Sequence, residues 1–313
     1  MKKKALKIFA IIETLIIFLL IAGIVYFKVF HEKKDDAVSV FNSKEVRNKA
    51  VIEKNETVYQ TDGEKILISD SALGEIYLPV IEGVEKCQYN IDNIVTRNNY
   101  SFYKENNEIT SIFGIDVSQY QGDIDWRKVA ESGVKFAFLR AGVRTYGGGE
   151  IHIDDNFQKN AQEALANGID IGVYFFSQAI SKEEAIEEAD FLIDTIRGYN
   201  IKYPVVFDWE IIMDDTARTD GVSVDILADC CTVFCERVKS AGYKPMIYQN
   251  LRTSLLKLDL LRLKDYEFWL AQYNEKPTYI YDYQIWQYAS DGTVPGIEGD
   301  VDLNISFKDY SKE

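Results

Sequence analysis

Asp208 and Glu210, in the run Tyr203-Pro-Val-Val-Phe-Asp-Trp-Glu210, place two acids at the end of an otherwise apolar segment. Val205, Val206 and Phe207 read as a strand buried on both faces. A period of two then turns Asp208 and Glu210 to one side and Trp209 to the other. Two neighbouring carboxyls withdrawn from water raise each other's pKa, so one holds a proton near neutral pH while its partner ionises. That pairing of an acid with a charge-stabilising base is the chemistry of glycosidic bond cleavage. Solvated strand-end acids are the plainer alternative, and the rest of the chain weighs against it.

Two more acids, Asp116 in Gly114-Ile-Asp-Val-Ser118 and Asp302 in Val301-Asp-Leu-Asn304, stand beside comparable apolar runs. Aromatic residues accompany them. Tyr174 and Phe176, Tyr248, Trp269 and Tyr273, and Trp286 and Tyr288 are expected to line the same mouth, whereas Phe175 and Trp209 read as core. Four carboxyls could ligate magnesium or calcium through oxygen. Aromatic walls favour stacking on sugar rings instead, so neither a metal nor a cofactor is expected. Zinc and nucleophile-histidine chemistries lack imidazoles, since His31 and His152 are the only two in the chain. The run Gly147-Gly-Gly149 lacks the Lys-Ser/Thr of a phosphate loop and reads as a flexible surface loop.

Positioning four distant acids requires a repeating scaffold. From Ser111 onward apolar runs alternate with amphipathic stretches. The strands expected are Phe113 to Ser118, Lys135 to Gly142, Asp170 to Ala179, Tyr203 to Glu210, Lys244 to Asn250, Tyr266 to Tyr273, Tyr283 to Ser290 and Val301 to Phe307. Helical stretches include Asp154 to Asn167, Lys182 to Arg197 and Ser223 to Ala241. Strand-helix alternation implies right-handed parallel crossovers. Eight strands imply an α/β fold, a closed β/α barrel with its site at the strands' carboxyl ends. Helices are lacking after the later strands, so the barrel is expected to be irregular on that side.

The chain has 313 residues and a formal charge of −15, which disfavours nucleic acid as a partner. Its first thirty residues invert the balance, with Lys2, Lys3, Lys4, Lys7 and Lys28 against Glu13 alone. Ile8 to Phe27 is long enough as a helix to cross roughly 30 Å of hydrocarbon. Ala22-Gly23 is a weak processing site, so an uncleaved anchor with a cytoplasmic amino terminus is expected. The domains expected are 1–30 as anchor, 31–110 as an extracellular stalk and small strand-containing module, and 111–313 as the barrel. Cys230, Cys231 and Cys235, on one helix, have poor disulfide geometry and read as buried thiols.

The motifs Gly114-Ile-Asp-Val-Ser-Gln-Tyr-Gln-Gly-Asp-Ile-Asp-Trp126, Tyr174-Phe-Phe176, Val205-Val-Phe-Asp-Trp-Glu210, Trp269-Leu-Ala-Gln-Tyr273, Trp286-Gln-Tyr288 and Val294 to Asn304 resemble the glycoside hydrolase family 25 lysozymes, in the family's order. The resemblance implies cleavage of the β-1,4 bond between N-acetylmuramic acid and N-acetylglucosamine in peptidoglycan. It assigns the acid to Glu210 and completes the cluster with Asp208, Asp116 and Asp302. Glu210 is expected protonated at rest and Asp208 ionised. Retaining, inverting and substrate-assisted routes all fit residues i and i+2. A glycan-binding protein without activity and a hydrolase of another N-acetylglucosamine polymer are the alternatives. Anchor and barrel together imply a Gram-positive-like cell membrane, with the catalytic domain outside.

Overall fold

The computed structural model describes residues 61–70, 74–213 and 215–312. The expected membrane span Ile8 to Phe27 lies outside them, and no helix among the described residues is long and apolar enough to cross a membrane. By compactness the described residues from 67 to 77 separate from a larger unit that holds residues 61–66 and the described residues from 78 to 312. Strands β1 (Thr61–Asp70) and β2 (Gly74–Ile81) pair with each other.

The larger unit is built on a mixed eight-stranded barrel. Its strands are β6 (Ile112–Val117), β7 (Phe136–Arg144), β9 (Asp170–Ser177), β10 (Ile201–Trp209), β11 (Pro245–Asn250), β12 (Glu267–Ala271), β13 (Ile285–Gly292) and β14 (Val301–Ser306). Pairing runs in that order, and β14 returns to β6 to close the ring. All eight expected strands form. β14, however, lies antiparallel to both β13 and β6. Asp302 therefore sits at the beginning of its strand, not at a carboxyl end as expected, and still reaches the mouth because the strand is reversed. The short connection from β13 to β14 returns the chain without a crossover helix, and an antiparallel pair follows.

Helices clothe one side. Ser181 and Ser223 cap α3 (Lys182–Ile196) and α4 (Val224–Ser240), each hydroxyl accepting from the backbone N–H three residues on. α1 (Trp126–Glu131) and α2 (Phe157–Ala166) precede β7 and β9, while α5 (Leu251–Lys257) and α6 (Leu260–Leu263) are short. Cys230, Cys231 and Cys235 are buried free thiols in α4.

Among the described residues no such helix follows β12, and the cover comes from upstream. A three-stranded antiparallel sheet, β3 (Ile94–Arg97), β4 (Tyr100–Glu105) and β5 (Glu108–Ile109), turns twice through Asn-Asn pairs. Asn98, Asn99, Asn106 and Asn107 have φ of 51°, 67°, 51° and 67°, the left-handed backbone that two-residue hairpins require. Tyr89 stacks on Phe307 at 4.1 Å, Tyr103 meets the same ring at 5.2 Å, and Tyr100 packs on Phe113 at 5.0 Å. Residues from Leu78 onward group with the barrel in one compact unit, and these tyrosines cover its helix-free face.

Inside the barrel the core is aromatic. Phe136 stacks on Tyr203 at 4.3 Å and Phe138 on Trp269 at 4.4 Å. Glycine makes the space: a Cβ on Gly114 would lie 2.3 Å from the Phe136 ring, and one on Gly172 equally close to Phe138. The Gly147–Gly149 run, expected as a flexible loop, is the turn of a hairpin between β7 and β8 (Ile151–Ile153). Gly149, at φ +85°, lies against the Arg218 guanidinium and gives its carbonyl to Arg144 at 2.7 Å. His152 lies exposed on β8.

Candidate active site

The mouth of the barrel holds a cleft of about 250 Å³. All four expected acids line it, with Tyr174, Phe176, Tyr248, Trp269 and Tyr273. The sheet explains the meeting. Asp116 stands opposite Asp302 in the β6–β14 register, and Asp208 stands between Phe176 of β9 and Tyr248 of β11.

Two expected ligand-binding residues fall elsewhere. Trp286 and Tyr288 do not line the cleft, because alternation along β13 turns the intervening Gln287 inward and both rings outward. Trp286 is fully buried and donates from Nε1 to the Gln272 carbonyl at 2.9 Å. Trp269, by contrast, points inward and donates to Asn304 Oδ1 at 2.8 Å. Tyr273 is the exposed rim residue of the set, at 52%.

Asp116 is buried and held by two amides, Gln287 Nε2 and Asn304 Nδ2, each 2.8 Å from Oδ2. Gln287 Oε1 in turn accepts from Tyr248 (2.8 Å) and Tyr273 (3.0 Å). Sequence reasoning missed both amides. The available signal was a polar residue at an inward strand position, as in Trp286-Gln-Tyr288 and Asp302-Leu-Asn304. It missed Arg140 as well, the sole basic side chain lining the cleft among the described residues. Arg140 pairs with buried Asp154 at 2.8 Å, and its guanidinium lies 4.9 Å from the Tyr120 ring centre.

Asp208 contrasts with Asp116. It is buried, and its Oδ1 has no hydrogen-bond partner among the described residues. Burial first, then the negative charges of Glu210 and Asp116, push its carboxyl well above the ordinary range, with Arg140 opposing. Glu210 is pushed up to about 7 by burial and by Asp116. Asp302 rises to about 9, again through burial and then Asp116 and Glu210. Asp116 rises to about 6 by burial, restrained by its two amide donors. Asp208 was expected ionised at rest; burial and its acidic neighbours push its carboxyl, like that of Glu210, toward the protonated form. No group of three or more His, Cys, Asp or Glu side chains among the described residues is disposed to hold a metal ion.

The sequence profile of the glycosyl hydrolases of family 25 matches residues 115–297. The protein YegX of Escherichia coli strain K12 is 30% identical over 207 residues, covering 62% of this chain and 69% of that one. The autolytic lysozyme of Clostridium acetobutylicum is 28% identical over 193 residues, covering 61% of this chain and 54% of that one. Among solved structures, a family 25 glycosyl hydrolase from Bacillus anthracis aligns with a TM-score of 0.56 at 24% identity, over 70% of this chain and 97% of that one.

Proposed function

The chain belongs to glycosyl hydrolase family 25, and from that premise we propose that it hydrolyses the β-1,4 bond between N-acetylmuramic acid and N-acetylglucosamine in peptidoglycan, with Glu210 as general acid. The carrying observation is that four carboxyls from distant parts of the chain line one aromatic-walled cleft, in which burial and Asp116 push Glu210 up to about 7 and Asp208 Oδ1 is buried with no partner among the described residues.

Glu210 gives its proton to the leaving glycosidic oxygen as the bond from that oxygen to the anomeric carbon breaks. An acetamido N–H of the sugar donates to Asp208 Oδ1; this favours the carboxylate, and the Asp208 proton passes to bulk water as substrate binds, before the glycosidic bond breaks. The acetamido oxygen then attacks the anomeric carbon, and Asp208 stabilises the positive ring that results. Water opens that ring, and Glu210 takes the water's proton. Asp116, held rigid by its amides, and Asp302, protonated and able to donate, bind sugar hydroxyls. Tyr174, Phe176, Tyr248, Trp269 and Tyr273 supply the surrounding walls.

The lysine-flanked run Ile8 to Phe27 supports a cell-membrane anchor with the barrel outside, within reach of a wall beyond that membrane. Glu210→Gln is expected to cut reducing-end release from purified peptidoglycan by about 10²- to 10⁴-fold with the melting temperature retained. Release at the wild-type rate would remove Glu210 from the acid role. Glycan stripped of its N-acetyl groups should be cleaved far more slowly; equal rates would exclude the acetamido route.

A further inference from the structure

The sheet lets go of Glu210. The last ladder partners of β10 are Asp208 with Tyr248 on one side and Trp209 with Ser177 on the other. The backbone carbonyl of Glu210 lies one residue past the second pair and two past the first. Ile211 and Ile212 then follow without helix or strand. A side chain placed past the last ladder pair takes its depth in the cleft from what holds its own backbone.

One buried residue takes over from the ladder. Gln178, the residue after the last of β9, is fully buried. Its Nε2 donates to the Glu210 carbonyl at 3.2 Å and to the Ser177 carbonyl at 3.0 Å. Its Oε1 accepts from Thr219 Oγ1 at 2.8 Å, which fixes the amide's orientation so that the nitrogen faces Glu210. The Gln178 backbone carbonyl accepts from Arg218 at 2.9 Å, and Arg218 is forked onto both oxygens of Glu184 in the first turn of α3, at 2.7 and 2.6 Å. One residue therefore fastens both ends of the excursion that leaves the barrel at Glu210 and returns at Thr219.

We infer that Gln178 is a positioning residue for Glu210: its side-chain amide replaces the missing sheet partner, and with Thr219 it fixes how deep the acid stands in the cleft. The inference rests on Glu210 being the acid. A general loop-fastening role alone would affect stability. Positioning has a further consequence, because the burial that lifts Glu210 to about 7 depends on that depth. An acid released toward water returns toward its ordinary value near 4.5.

The test uses the full chain on purified peptidoglycan, with kcat and KM recorded across pH for wild type, Gln178→Met and Thr219→Val. Gln178→Met keeps length and removes the donor. It is expected to move the alkaline limb of kcat/KM down by about one pH unit and to lower kcat by about 10- to 100-fold, with KM within about twofold. Thr219→Val should move the limb the same way by less, and the double variant should fall short of the sum, since both act through one amide. An alkaline limb that stays in place in both single variants overturns the inference. Should Gln178→Met fail to fold, Thr219→Val decides alone. Glu210→Gln separates the two levels: if that variant retains activity, the acid assignment fails; if it is inactive and the limb is unmoved in the others, only the positioning role fails.

Discussion

On the side of β9, β10 and β11 the barrel is clothed by long capped helices, and the acids at its mouth, Asp208 and Glu210, have few hydrogen-bond partners. On the side of β13, β14 and β6 the clothing is an upstream sheet and a set of tyrosines, and of the two acids at the mouth Asp116 receives two amides whereas Asp302 is pushed up to about 9. The exterior cover and the interior chemistry are thus independent. A strand end can carry a reactive or a fixed carboxyl whatever lies behind it, provided the outer face is kept dry. What separates Asp116 from Asp208 is the supply of donors: Asp116 is anchored by two amides that restrain its rise to about 6, whereas Asp208 has an unpartnered Oδ1 among the described residues and is pushed well above the ordinary range.

The severest way to break this comparison is to remove the tyrosine cover. A fragment starting at Ser111 would expose Phe113, Tyr283 and Phe307, which pack against Tyr100, Tyr89 and Tyr103. It is expected to lose soluble expression and activity, whereas a fragment starting at Leu78 keeps both; equal behaviour of the two would show the cover to be dispensable. Next is the unsatisfied acid. Asp208→Asn should lower kcat by about 10²- to 10³-fold while raising the melting temperature at pH 8, because it deletes a buried group that resists ionisation.

Smaller effects sharpen the contrast on the fixed side. Asn304→Ala removes one of the two donors to Asp116 and the partner of Trp269 Nε1. It is expected to destabilise the fold by about 1–3 kcal/mol, measured by denaturant unfolding, and to raise the apparent pKa of Asp116. A pH series checks the same ledger of protons. Asp116 and Glu210 stand at about 6 and about 7, above ordinary values of 3.8 and 4.5. Raised carboxyls stabilise the fold fully at acid pH, and that contribution is lost as pH climbs through 6 and 7. The melting temperature should therefore fall between pH 5 and 8, and the fall should shrink in Glu210→Gln. The smallest effect is expected from Trp286→Phe, which forfeits one outward hydrogen bond, about 1 kcal/mol, and leaves turnover within about twofold.

Much of this was legible in the residues. Continuous apolar runs marked all eight barrel strands, and strand-end acids located the mouth, because a carboxyl beside Val-Val-Phe has few structural reasons to be there. The direction of β14 was not legible, since alternation has a period and no sense of travel. The assignment of Trp286 and Tyr288 to the cleft failed for a related reason: two rings at i and i+2 share a face, but which face is decided by the polar residue between them. Gln178, Gln287 and Asn304 carry no charge, and as neutral amides they gain meaning only when a carbonyl or carboxyl from elsewhere in the chain arrives within 3.2 Å. The Asn-Asn pairs at 98–99 and 106–107 were a readable hairpin signal within the region expected to hold a small strand-containing module.

The reversal of β14 also decides where a handle can go. Because this strand begins at the mouth, it ends at the barrel's floor, where Tyr310 packs 5.2 Å from Tyr203 near the start of β10. A linker for surface immobilisation or a fluorescent reporter attached after Lys312 would leave from the floor, and the sugar-facing end would stay turned toward an insoluble polymer.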